Sequence, residues 1–112
     1  MNLEELYQLL LTVLPDKVFY GTNIYDDENN ASIPYIVYQE ISKRAIGYGD
    51  NLPLAFSSNV QITLVTKKKD LLIEKRLEKA LMDNGFSFSL TSEFFNSDKS
   101  LNRIYQINME EI

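Results

Sequence analysis

Catalysis needs side chains that move protons, donate electron pairs or hold metals, and this sequence is short of them. It contains no His and no Cys. The commonest general base, the usual partner of a nucleophilic Ser and the thiolate ligands of zinc are therefore missing, and disulfides with them. Hydrolytic or redox chemistry would rest on Asp, Glu, Lys and Tyr alone. Asp26, Asp27 and Glu28 are three successive carboxylates. A hard-cation loop needs oxygens at alternate positions, a glycine turn and a distal acid. Those companions are absent, so the cluster reads as a solvated loop. Lys67, Lys68 and Lys69 precede a helix start, where an anion is favoured. The G-x-x-x-x-G-K-[ST] pattern is absent and Asp70 takes the cap position. The run reads as an exposed basic turn, with a patch for an acidic protein partner as the functional alternative.

What remains is the chemistry of contact. Most of the seven Tyr and six Phe fall at strand or helix positions that core packing explains. Tyr48 stands apart, between Gly47 and Gly49 and followed by Asp50, Asn51 and Leu52. Tyrosine is enriched among residues that anchor interfaces, while self-packing of a loop is the alternative for this ring. Arg44, Gly47, Tyr48, Gly49, Asp50, Asn51 and Leu52 form the candidate partner-binding segment. They lie in a link between strands expected at 34–41 and 59–66, too long for a tight hairpin. Long loops in compact domains are usually functional or disordered.

The elements that position this link follow from periodicity. Asn2, with Glu5 three residues on, is a capping-box start. Leu3, Leu6, Leu10, Val13 and Leu14 follow at helical spacing, and Pro15 ends the run. Residues 17–20 form a short apolar strand, and 24–32 a polar acidic loop. Tyr35, Val37 and Ile41 share one face of the next strand, Ile36 and Tyr38 the other. After the link, Val60, Ile62 and Leu64 alternate with Gln61, Thr63 and Val65. Asp70 caps a second helix with Ile73, Leu77, Ala80 and Leu81 on its apolar face. Glu74, Lys75, Glu78 and Lys79 are expected on its exposed side, and Asn84-Gly85 at its end. Phe86, Phe88 and Leu90 then alternate with Ser87, Ser89 and Thr91. A turn over 94–102 leads to a last strand with Tyr105, Ile107 and Met109 on one face. This order predicts a single α+β domain over 1–112. Its mainly antiparallel sheet has four to five strands, with two helices packed on one face and a long inter-strand loop.

The chain has 112 residues, 45% apolar and 24% charged, which suits one packed domain without staples. Its formal net charge is −5. Broad nucleic-acid binding needs a basic footprint, so this balance argues against it. Acidic residues appear early in MNLEELYQLLLTVLP, no basic leader precedes them, and Leu9-Leu10-Leu11 is far too short to span a bilayer. The cytosol is the expected site of the newly made chain.

Three features together resemble a family of small structural proteins of long-tailed bacteriophages and prophages of Gram-positive bacteria. They are the Tyr48-Gly49-Asp50-Asn51 turn, the Val60-Gln61-Ile62 strand and the helix ending in Asn84-Gly85-Phe86. The family lies in the neck-and-tail region and looks like tail-terminator or tail-completion proteins. The likeness runs from about Pro34 to the C-terminus. It implies a virion protein with no enzymatic activity and no cofactor. Subunits would form a hexameric ring on the finished tail tube, contacting the major tail tube protein and the head-connector protein, while DNA passes through unbound. Another neck component, such as a head-completion protein, is the nearest alternative. A small host ligand-binding or enzymatic domain is the more distant one; a deep pocket with a perturbed Lys or carboxylate would favour it.

Overall fold

In a computed structural model of the chain, Asn2 opens the first helix, α1 (Leu3–Val13), through a complete capping box. Its side chain accepts from the Glu5 N–H at 2.8 Å, and the Glu5 carboxylate accepts from the Asn2 N–H at 3.2 Å. Two otherwise orphaned donors are thereby satisfied, a motif that contributes about 1 kcal/mol. The structure describes residues 2–21, 33–49 and 52–111, with 47–49, 52–54 and 111 by backbone alone. The acidic loop expected at 24–32 lies outside them, as do Asp50 and Asn51.

Five strands follow the expected order: β1 (Val18–Tyr20), β2 (Tyr35–Gly49), β3 (Leu52–Thr66), then helix α2 (Leu71–Asp83), β4 (Phe88–Phe95) and β5 (Leu101–Glu111). They form one sheet in the order β1-β2-β3-β5-β4. β1 runs parallel to β2 and every other pair is antiparallel. Both helices lie on one face of the sheet. Tyr7 of α1 stacks on Tyr38, and Glu78 of α2 bonds Tyr105. Ile36, Tyr38, Val60, Ile62, Leu64, Tyr105, Ile107 and Met109 meet Leu6, Leu10, Val13, Leu77 and Leu81 in a single core. Each fully buried aliphatic contributes about 1.5–3 kcal/mol. Arg76 ties the helices by donating to the Val13 carbonyl at 3.0 Å, at the end of α1 where carbonyls lack helical partners. Asp70 caps α2 through the Ile73 N–H, and Gly85 leaves it at φ +84°, a conformation glycine takes without strain.

Two expectations about the elements are corrected. The link between β2 and β3 is not a long loop. The two strands stay paired from Tyr35↔Val65 out to Gly49↔Leu52, each strand covering 15 residues. Backbone pairing continues there past the end of the core, so no burial marks it in the sequence. A bulge between Glu40 and Ser42 turns Ile41 outward, 55% exposed, and changes which residues share a face beyond it. The region 94–102 is also less of a turn than expected. β4 runs on to Phe95, and only 96–100 connect it to β5.

Candidate functional site

The β2–β3 hairpin outgrows the sheet that carries it. β1 pairs with β2 only through Tyr38, and the Tyr20 hydroxyl then accepts from the Glu40 N–H at 3.3 Å. β5 pairs with β3 up to Phe56↔Glu111. Past that register the hairpin is two-stranded, through Ile46↔Ala55, Tyr48↔Pro53 and Gly49↔Leu52. Among the described residues, no strand covers the outer edge of β2 beyond its bulge. Pro53 is the second residue of β3, in register with Tyr48, near the strand's start where a missing N–H is tolerated. Of the residues singled out in the sequence, Arg44, Gly47, Tyr48, Gly49 and Leu52 lie together on one projecting ribbon, and Asp50 and Asn51 lie outside the described residues. Arg44 is exposed and in register with Ser57, while the backbones of Gly47, Tyr48, Gly49 and Leu52 form the outermost pairs.

The arm's root is braced by neutral polar side chains on the helix-free face. The Asn59 amide donates to the Ser42 hydroxyl at 3.0 Å, and Asn108 donates to Ser57 at 2.8 Å and Asn59 at 3.3 Å. One register inward, Gln39, Gln61 and Gln106 form a row across three strands. On the helix side the Lys43 ammonium sits 5.0 Å from the Phe56 ring centre, a cation–π contact.

A second cluster lies where α2 crosses β4 and β5. Arg103 faces three carboxylates. It contacts Glu93, donates to Glu78 at 3.1 Å and approaches Glu74 at 3.5 Å. Lys69 bonds Glu74 at 2.9 Å and Glu93 at 3.0 Å. The buried Tyr105 hydroxyl donates to Glu78 at 2.6 Å. Glu74 is 3% exposed and its Oε2 has no hydrogen-bond partner. Burial works against the Arg103 charge, but bonds to Tyr105, Glu93 and Glu78 outweigh it and hold the guanidinium above its ordinary range. Burial pushes the Tyr105 phenol up as well, reinforced by Glu78.

No protein-family model matches this chain, and no curated protein sequence does. The geometry therefore carries the functional reading.

Three members of the charge network are ion-paired where the sequence pointed to solvent. Glu74 and Glu78 were expected on the exposed side of α2, and Lys69 in a free turn. Glu74 instead lies three residues before Leu77 and seven before Leu81, both fully buried, so helical spacing puts it on the same stripe. That spacing is the signal in the sequence. Among the described residues, no group of three or more acidic side chains could hold a metal ion, and no helix is long and apolar enough to cross a membrane.

The network ties stability to pH. Hydrogen bonds from Lys69 and then Arg103 hold the Glu93 carboxyl below its ordinary value of 4.5. A group depressed in the folded state contributes fully above its unfolded pKa and loses that contribution as pH falls through the folded one. Asp98, lowered by the Ser100 hydroxyl, adds to the same acid limb. Lys69, raised by its bonds to Glu74 and Glu93, contributes fully below 10.5 and is lost as pH rises beyond it. Glu93→Gln is therefore expected to cost about 1 kcal/mol at neutral pH and to flatten the loss of stability below pH 4.5. Urea unfolding of both proteins at a series of pH values measures this. Parallel acid limbs would show that Glu93 is not linked to folding.

Proposed function

We propose that this chain is a bacteriophage tail-completion protein. It caps the finished tail tube, ends addition of tube subunits and offers the head connector a docking face. The observation that carries the reading is the β2–β3 arm. A two-stranded ribbon is marginal on its own in water. On the helix face, the outermost buried side chains are Ser58 and its register partner Met109, yet the hairpin pairs on to Gly49↔Leu52. Structure that does little for its own core is suited to a partner's surface. The arm also carries Tyr48 and Gly49, the described part of the Tyr48-Gly49-Asp50-Asn51 segment on which the phage resemblance partly rests.

In this reading copies of the chain form a ring, hexameric by the same resemblance. A ring is a closed set of contacts between two different patches of each subunit. The arm supplies one patch, reaching a neighbouring subunit or the tube. The net charge of −5 favours passage of DNA over its retention. The protein acts in the neck of the virion and resides in the host cytoplasm before assembly.

Electron microscopy of particles from a phage lacking this gene tests the reading. Overlong tails, or tails never joined to heads, are expected. Heads that leak DNA beside free tails of normal length would place the chain in the head instead. Intact virions would end the proposal.

A further inference from the structure

The second edge of the sheet is as bare as the arm, and it is unusually poorly protected. β4 reads FSLTSEFF, with Glu93 as its one charge and no Lys or Pro. Leu90, Phe94 and Phe95 are exposed at 45%, 43% and 67%. Among the described residues, no strand pairs with the outer side of β4. Natural edge strands are normally short, charged or covered, because a long apolar edge recruits other strands. The free part of β2, residues 41–49, is comparable in length to the eight residues of β4. It carries Lys43 and Arg44, both exposed.

We propose that the outer edge of β4 pairs antiparallel with the free edge of β2 from a second copy of this chain. The inference rests on the ring reading above and names its contact. Strand direction permits it. In the order β1-β2-β3-β5-β4, the two strands run in opposite senses. Through β5 and β3, Phe88 is level with Glu40, so a copy placed beside β4 in the same orientation and slid along the strand axis until its free segment comes alongside presents β2 antiparallel to β4, and the sheet continues from subunit to subunit. Charge agrees. Centring the two free segments on one another brings Lys43 and Arg44 near Glu93, and Lys43 and Glu93 both lie on the helix face. Opposite charges across paired strands favour that register. Pairing β4 with β4 would satisfy one edge and leave the arm bare. Pairing β4 with β2 uses both, and repeats around a closed ring.

The absence of Cys makes the contact trappable. Ser42 and Arg44 of β2, and Ser89 and Ser92 of β4, lie on the helix-free face and are exposed. One protein carries Ser42→Cys or Arg44→Cys, the other Ser89→Cys or Ser92→Cys. Mild oxidation at the highest soluble concentration is expected to give disulfide-linked pairs only when the two are mixed. Leu90→Lys with Phe95→Lys, both at exposed positions, is expected to weaken self-association by about tenfold or more while leaving unfolding unchanged. Sedimentation velocity reads the first effect and urea titration the second. Linkage within the Ser92→Cys protein alone would show β4–β4 pairing and overturn the proposal. So would association without linkage, association indifferent to the two lysines, or a chain monomeric at every concentration. Each of those results leaves the tail-completion reading to its own microscopy. Intact virions without the gene, combined with mixed-only linkage, would remove that reading and keep the strand contact.

Discussion

A chain in which residues 46–55 are replaced by Asn-Gly will fold as the parent does and fail to join tails to heads. The replacement closes the hairpin at Ala45↔Phe56 with a two-residue turn suited to paired strands. It removes the segment that is two-stranded, and no core residue among the described side chains lies within it. What is lost locally is the pairing of a solvated ribbon. The expected change in melting temperature is under about 5 °C, equivalent to roughly 1 kcal/mol or less. If the arm is the assembly contact, the yield of joined virions falls by at least about a hundredfold, the population change that about 2.7 kcal/mol of lost binding produces. Thermal unfolding of the purified protein and complementation of a gene-deleted phage measure the two effects separately. Normal complementation by the shortened chain would remove the arm from assembly. A large loss of stability would mean that the arm serves the fold.

The same arm shows why the sequence was readable in some places and not in others. Val60 and Ile62 alternate with the polar Gln61 and Thr63 because helices cover one side of that part of β3 only. One-sided burial writes a period of two into a strand. Beyond Ser58 no described residue of β2 or β3 is buried, and the chain reads Ser42-Lys43-Arg44 against Ser57-Ser58-Asn59 in register. The backbone pairs just as well there, but no periodic signal records it, and two glycines make the stretch look like a loop. α1 was legible to the residue because Asn2 and Glu5 are a local motif that needs no tertiary context. The candidate residues Arg44 to Leu52 were found by composition, and the structure places the described ones, Arg44, Gly47, Tyr48, Gly49 and Leu52, on a ribbon. The bare edge of β4 left no such trace. Its alternation of Phe88, Ser89 and Leu90 suggests one buried face, whereas Leu90 is exposed, since α2 reaches that edge mainly through the charge network. The network itself was hidden by chemistry. Glutamate on a helix is normally solvated, and only the position of Glu74 in line with Leu77 and Leu81 argues otherwise.

Arg103→Ala is expected to be among the most destabilising single substitutions in the protein, by about 3–5 kcal/mol, because it breaks a buried ion cluster from its centre. Arg103 is the only described residue that contacts Glu74, Glu78 and Glu93 together. Lys69 reaches two of them from a more exposed position. Without the guanidinium, Glu74 keeps a single ammonium partner, its Oε2 remains without a hydrogen bond, and Tyr105 loses the donor that faces its hydroxyl. Arg103→Lys should recover only part of the loss, since one ammonium cannot serve three carboxylates in the geometry of a planar fork. The decisive comparison is the double variant Arg103→Met with Glu74→Leu. If the cost is that of an uncompensated buried carboxylate, the pair will be clearly more stable than the two single effects added together. If it is lost packing of the arginine stem, the effects will add. Urea unfolding of the three variants and the parent at neutral pH decides between them. The cluster holds α2 against β4 and β5, so the outcome also measures how firmly the bare β4 edge is presented to a second copy.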